Sequence, residues 1–344
     1  MKLQYRFVLR LLFPLAILLG SLLSACTAQT PTSRPQSTVS SPTPVVSSPT
    51  PVVSSPVPTA TSTAPFDGYA IYESCSPSDE VICLSHLNTM AEAGFKLVLN
   101  YDEIYGDARF QQAYLDRAQA VGMKVIMPLK DPAFYNGANL RSEFPALAAT
   151  CNCTDNTGFL HYVVDLVKNN PALWGYYIGD EVDPDNHNAM KSSLADLVHQ
   201  LDPNHPRLFI DNAGESTSVW HGNSPFFDTA DVIGTDFYPI RIDSSDYPTI
   251  DQTGAVASGI QAYADAHNEG SAIVLQAFSY SEYGTPGAPY PTAEQMQWML
   301  SQTLAHAHPR IILWYSYYDT MSYANADQHW NDLKAVIARN TPKT

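Results

Sequence analysis

Acidic residues are missing from the first 65 positions of this 344-residue chain, and basic residues are scarce throughout: 18 Lys and Arg stand against 34 Asp and Glu, a formal net charge of −16. Lys2, Arg6, Arg10 and Arg34 fall inside the acid-free stretch, so the remainder is more acidic than the whole. Such a surface repels a phosphate backbone, which argues against nucleic acid as a partner. The ten histidines are scattered without an HExxH pattern and the cysteines lack Cx2C spacing, so neither a metal nor another cofactor is expected. No glycine-rich phosphate loop follows the first strand-like segment. No apolar run reaches the roughly 20 residues of a spanning helix.

What stands at the beginning is a set of export features. Lys2, Arg6 and Arg10 precede the apolar run LLFPLAILLGSLL, and Leu23-Ser24-Ala25-Cys26 closes it, the order of a secretion signal. The tetrapeptide resembles the lipobox of bacterial lipoproteins, which implies a signal peptide over residues 1–25 and an acylated N-terminus at Cys26. An ordinary signal peptide or an uncleaved anchor is the alternative. Residues 26–65 are almost wholly Ser, Thr, Pro, Val and Ala, with SSPTPVV twice in succession from Ser40 and Ser47. That composition cannot build a core and reads as a disordered, extended spacer. The expectation is an exported domain held at the outer face of a bacterial membrane through its lipid only. Four further cysteines, Cys75, Cys83, Cys151 and Cys153, suggest disulfides in an exported chain; local pairing of Cys75 with Cys83 is the simplest, and a Cys151–Cys153 bridge would be tight.

From Phe66 to Thr344 eight short apolar segments recur: GYAIYES from Gly68, FKLVLNYDE from Phe95, MKVIMPLKD from Met123, LWGYYIGDE from Leu173, RLFIDNAG from Arg207, DVIGTDFYP from Asp231, AIVLQAFSY from Ala272 and IILWYSYYD from Ile311. Their near-continuous apolar character fits parallel strands covered on the outside. Helical patterns lie between them, at residues 83–93, 107–121, 158–169, 187–201, 254–267, 292–306 and 328–339. Thr292 with Gln295 reads as a capping box, and Met296, Met299, Leu300 and Leu304 as its buried face. The pattern predicts an α/β fold, a (β/α)8 TIM barrel over residues 66–344, with an open doubly wound sheet as the competitor. In a barrel, function gathers at the C-terminal ends of the strands.

Those ends are rich in carboxylates, amides and flat rings. Tyr101, Asp102, Lys130, Asn212 and Gln276 are candidates for contacting a sugar, whose hydroxyls need polar partners and whose C–H faces stack on aromatics; glycosidic cleavage needs two carboxyl groups. Asp180 and Glu181, at the end of the fourth segment, are the leading carboxylates. Polar barrel ends and Tyr-rich strands also occur without such a role.

NNPALWGYYIGDE, GMKVIMPL and LWYSYYD resemble the barrel domains of retaining glycoside hydrolases of the superfamily that includes β-galactosidases and cellulases. The resemblance implies a carbohydrate substrate, Glu181 as general acid/base, Trp314 as the eighth-strand sugar support and Tyr238 as an orienting tyrosine, with Tyr317 beside them. It departs from that pattern twice. Asp180 replaces an amide, and a like charge beside Glu181 is expected to raise one of the two pKa values. Gln276 occupies the position of the nucleophilic carboxylate. Three readings follow: Glu282 is the nucleophile, Asp236 is the base of an inverting reaction, or the barrel binds sugar without cleaving it. A partial resemblance to chitinase-like barrels, and a metal-dependent hydrolase using Asp102 and Asp319, are weaker alternatives.

Overall fold

The computed structural model describes residues 65–212, 224–242 and 249–341. The export signal, Cys26 and all but the last residue of the Pro/Ser/Thr-rich segment lie outside these residues. Eight parallel strands close into a barrel in sequence order: β1 (Gly68–Glu73), β2 (Leu97–Asn100), β3 (Lys124–Pro128), β4 (Leu173–Asp180), β5 (Arg207–Asn212), β6 (Val232–Phe237), β7 (Gly270–Gln276) and β8 (Ile311–Tyr315), with β8 pairing back onto β1. Closure removes the open-sheet alternative. Outside lie α1 (Glu80–Glu92), α2 (Ala108–Ala120), α3 (Asn156–Val167), a helical run α4 over 187–201 with a π turn at Lys191–Ala195, α5 (Thr253–His267), α6 (Ala293–His306) and α7 (Ala326–Asn340). Between β5 and β6 the described residues hold only a 3-10 turn, Pro225–Asp228.

Local chemistry explains the element ends. In α6 the Thr292 hydroxyl accepts from the Gln295 N–H and the Gln295 side chain accepts from the Thr292 N–H, the expected capping box. Met296, Met299, Leu300 and Thr303 are buried, while Leu304 turns partly to solvent, because the stripe follows 3.6 residues per turn. Gly122 ends α2 at a φ of 75°, a left-handed turn that costs glycine little. Cys75 pairs with Cys83 and Cys151 with Cys153.

Two apolar layers result. Inside the barrel sit Leu97, Leu99, Ile126, Leu208, Ile210, Val274 and Leu313, topped by Tyr72, Tyr101, Tyr177, Tyr238 and Tyr315; the larger layer fills the space between strands and helices. Each fully buried large side chain contributes roughly 1.5–3 kcal/mol of transfer free energy. The lower end is closed by ion pairs. Arg207 holds both oxygens of Asp231 at 2.9 and 3.1 Å, and Asp67 accepts from Arg310 at 2.6 Å and from the Trp174 indole at 2.9 Å.

Candidate active site

Strand parity decides which side chains reach the upper mouth. On β8, Ile311 and Leu313 face inward, so Tyr315 does too, and Trp314 faces the helices, fully buried in the outer layer. The expected sugar support is therefore corrected: Trp314 is a core residue, and Tyr315 is the aromatic at the mouth. Tyr317 is corrected as well. β8 ends at Tyr315, and Tyr317 begins a short helix, Tyr317–Ser322, from which it packs against His86 and Trp330.

On β4 the register shifts between Tyr177 and Gly179, so that Tyr177 lies opposite Leu208 and Asp180 opposite Ile210, both inward-facing positions of β5. A bulge of this kind re-aims the following side chain. Gly179 is required there, because a Cβ would collide with the Phe209 ring. The Asp180 carboxylate consequently enters the mouth, where it accepts from Tyr177 at 2.7 Å and Tyr101 at 3.1 Å and pairs with Lys130 at 3.0 Å. Lys130 also lies 4.4 Å from the centre of the Tyr101 ring. Burial pushes the Asp180 carboxyl up, but the Lys130 charge and the two tyrosine hydroxyls outweigh it and hold the group below its ordinary range. Of the two adjacent carboxyls, one of which was expected to be raised, Asp180 is the one that is held low. Lys130, just past the end of β3 and far from Asp180 in sequence, is the main reason.

Glu181 continues the strand hydrogen bonding through its N–H to the Ile210 carbonyl, yet adopts a φ of 48°, a left-handed conformation unfavourable for a side chain of its size. Its carboxylate is exposed and accepts from the Asn212 side-chain amide at 3.1 Å. Strain of this kind costs on the order of 1–3 kcal/mol and clusters at functional sites. Asn212 stands in register with Asp236 on β6, a nearly buried carboxylate. Tyr72 and Tyr238 each feel the charges of both Asp180 and Asp236, which places the two carboxylates around one tyrosine cluster. Burial first, then these charges, push the hydroxyls of Tyr72, Tyr101, Tyr177 and Tyr238 well above the ordinary tyrosine range. They remain proton donors at neutral pH.

The seventh-strand position is filled differently. The Gln276 amide is fully buried: its oxygen accepts from the Ile240 N–H at 2.8 Å, and its nitrogen donates to the Ile240 and Phe278 carbonyls at 3.0 and 3.1 Å. The assignment of Gln276 to substrate contact is therefore corrected, since the side chain ties two loops together. Glu282 is in the 3-10 turn Tyr280–Tyr283, where burial and the Asp319 charge push its carboxyl up to about 8. Asp102 accepts from Ser74 at 2.9 Å. The structure thus gathers Tyr101, Lys130, Asp180, Glu181, Asn212, Asp236 and Tyr238 at the mouth and leaves Trp314, Tyr317 and Gln276 out of it. Tyr72 and Tyr315 stand among the strand-end residues without having been assigned a substrate role, and Tyr177 lies three residues before Asp180, short of the strand end; inward parity carried along β8 points to Tyr315. Among the described residues no group of three or more His, Cys, Asp or Glu side chains could hold a metal ion.

No protein-family profile matches the chain, and no curated protein matches it in sequence. Solved structures do match in fold. A provisionally assigned α-L-fucosidase of Bacteroides thetaiotaomicron shares 13% identity over 84% of this chain and 99% of its own, with a TM-score of 0.56. The endo-β-1,4-mannanase of Thermotoga petrophila shares 10% identity over 81% of this chain and 78% of its own, at 0.52. A glycoside hydrolase family 5 protein of Bacteroides vulgatus shares 11% identity over 73% and 58%, at 0.50. At such identities the common property is the closed eight-stranded barrel.

Proposed function

We propose that the protein is an exported, lipid-anchored glycoside hydrolase that cleaves O-glycosidic bonds of a poly- or oligosaccharide at the upper mouth of the barrel. The observation that carries this reading is the end of β4, where one carboxylate is clamped as an anion by Lys130, Tyr101 and Tyr177, and the next is turned over Asn212 by a left-handed backbone. Two carboxyl groups in different environments suit two roles. Glu181 is the general acid that protonates the leaving oxygen. Asp180, held ionised, stabilises the positive charge that develops on the sugar ring. Asp236 is the second carboxylate, acting as base on water. β4 and β6 are separated by β5, so at about 4.8 Å per strand their backbones are roughly 10 Å apart, a scale that suits the wider carboxyl spacing of inverting enzymes. The tyrosine cluster supplies donors and stacking faces for the sugar.

The test is hydrolysis of a polysaccharide and aryl-glycoside panel by wild type and Glu181→Gln. A general acid should contribute roughly 10²- to 10⁴-fold, and equal rates would remove Glu181 from the role. A second reading, a non-catalytic carbohydrate-binding lipoprotein, is favoured by Gln276, whose amide stands where a nucleophile is expected and is used entirely by backbone partners. Glycan binding that survives Glu181→Gln, with turnover by no variant, would select it.

A further inference from the structure

We infer that Tyr283 is the stacking platform of a second sugar subsite, on the β7–β8 side of the mouth, and that it takes a neutral sugar unit of a chain. The inference rests on the function proposed above and sharpens it, because the substrate is then an oligo- or polysaccharide held over at least two units. Stacking on the C–H face of a sugar needs a ring that is already fixed and has a face left open. The Tyr283 ring is fixed from two directions. Its hydroxyl lies 3.0 and 2.9 Å from the two oxygens of Asp319, a nearly buried carboxyl that also accepts from the Ser316 hydroxyl at 2.5 Å. Its ring meets that of Phe278 at 5.2 Å and 79°. In such an edge-to-face pair Phe278 covers at most one face of Tyr283, and 43% of the residue is exposed. The turn that carries it is pinned as well: the Ser279 hydroxyl donates to the Ala288 carbonyl at 2.6 Å and accepts from the Ser281 N–H at 3.1 Å. The platform adjoins the mouth, since the Tyr283 hydroxyl lies 3.5 Å from that of Tyr315, and Phe278 packs 5.6 Å from Tyr315 and 5.0 Å from Tyr238.

The neighbouring rings are engaged elsewhere. Phe278 is buried at 3% exposure, and Tyr290 stacks on His329 at 3.8 Å. Tyr280 carries the Arg241 guanidinium 4.2 Å from its ring centre, and the Arg241 Nε donates to the Tyr238 carbonyl at 3.3 Å, so that cation is held over Tyr280. Tyr318, in the helix after β8, is 46% exposed, but among the described residues no hydrogen bond or ring contact holds it. Tyr283 alone among these rings is both held and open. The ionisable groups beside it are the carboxyls of Asp319, at its hydroxyl, and Glu282, one residue before it, and among the described residues no Lys, Arg or His pairs with either. Carboxyls of this kind give an anionic sugar no attraction and repel it when ionised, which is why the unit is neutral.

The test is calorimetric titration in a Glu181→Gln background, which keeps chains intact, with neutral gluco-, manno- and xylo-oligosaccharide series from monosaccharide to pentasaccharide. Affinity should rise with chain length, and Tyr283→Ala should remove one step of about tenfold, roughly 1.4 kcal/mol, from that rise. Tyr283→Phe keeps the ring and should keep the step, which separates loss of the platform from disturbance of the turn. Uronic-acid oligosaccharides of the same lengths should show no step that depends on Tyr283. An unchanged rise in Tyr283→Ala, an equal loss at every chain length, or a loss that Tyr283→Phe does not recover overturns the subsite and leaves the proposed function standing. A Tyr283-dependent step as large for the acidic chains overturns its neutral specificity. A wild-type protein that neither binds nor cleaves any glycan of the panel overturns the proposed function, and the subsite with it.

Discussion

At the lower end of the barrel Arg207 grips both oxygens of Asp231, and Arg310 and the Trp174 indole converge on Asp67. At the upper end Asp180, Glu181, Asp236, Glu282 and Asp319 gather near tyrosines, and Lys130 pairs with Asp180. The lower arrangement satisfies charge by geometry and would serve any barrel. The upper one combines several carboxylates, a left-handed backbone at Glu181 and protonated hydroxyls, and strain of that kind costs stability and clusters at functional sites.

The sharpest way to break that contrast is to exchange loss of activity for loss of stability. Glu181→Gln, with its expected fall of up to about 10⁴-fold in kcat, should leave the unfolding midpoint unchanged, as read by parallel kinetics and thermal melts. Arg207→Ala should do the opposite. It leaves Asp231 without its guanidinium partner and should cost about 1–3 kcal/mol in a urea titration, the range allowing for the partial solvent exposure of Asp231, while kcat/KM stays at the wild-type value. Lys130→Met tests the upper end more finely. Asp180 is held low in the folded state, so it contributes stability above its ordinary range and loses it as pH falls through its lowered pKa; without Lys130 that loss should begin at higher pH in an acid-unfolding series. The smallest effect expected is a gain. Glu181→Gly relieves the left-handed backbone and should stabilise the fold by about 0.5–1 kcal/mol while abolishing hydrolysis.

Most of the barrel was legible because its physics is local. Eight apolar runs and seven helical patterns fall on the observed elements, and the capping box at Thr292 is present as read. The mouth was legible only in part. Tyr101, Lys130, Asp180, Glu181, Asn212, Asp236 and Tyr238 were named from strand ends, but the pairing of Lys130 with Asp180 joins two strands 50 positions apart in sequence and leaves no local mark. Trp314 and Tyr317 were misread for two different reasons. Trp314 lies within β8, where alternation from Ile311 and Leu313 turns it towards the helices, whereas β8 ends at Tyr315 and Tyr317 falls in a helix to which strand alternation no longer applies. On β4 the bulge shifts parity by one, which places Tyr177 and Asp180, three residues apart, on the same side. At the bulge Gly179 leaves room for the Phe209 ring, and simple alternation cannot register the shift.

Gln276 carries a last consequence, for any attempt to install a carboxylate nucleophile at this position. Replacing its nitrogen by oxygen would aim a carboxyl oxygen at the carbonyls of Ile240 and Phe278, two acceptors that demand a donor. A glutamate there could keep the loops joined only by holding its proton, and a protonated acid does not attack a sugar. The path between clasp and nucleophile at this position is blocked by the two loops it fastens, so such a design would have to rebuild the loops before it changed the residue.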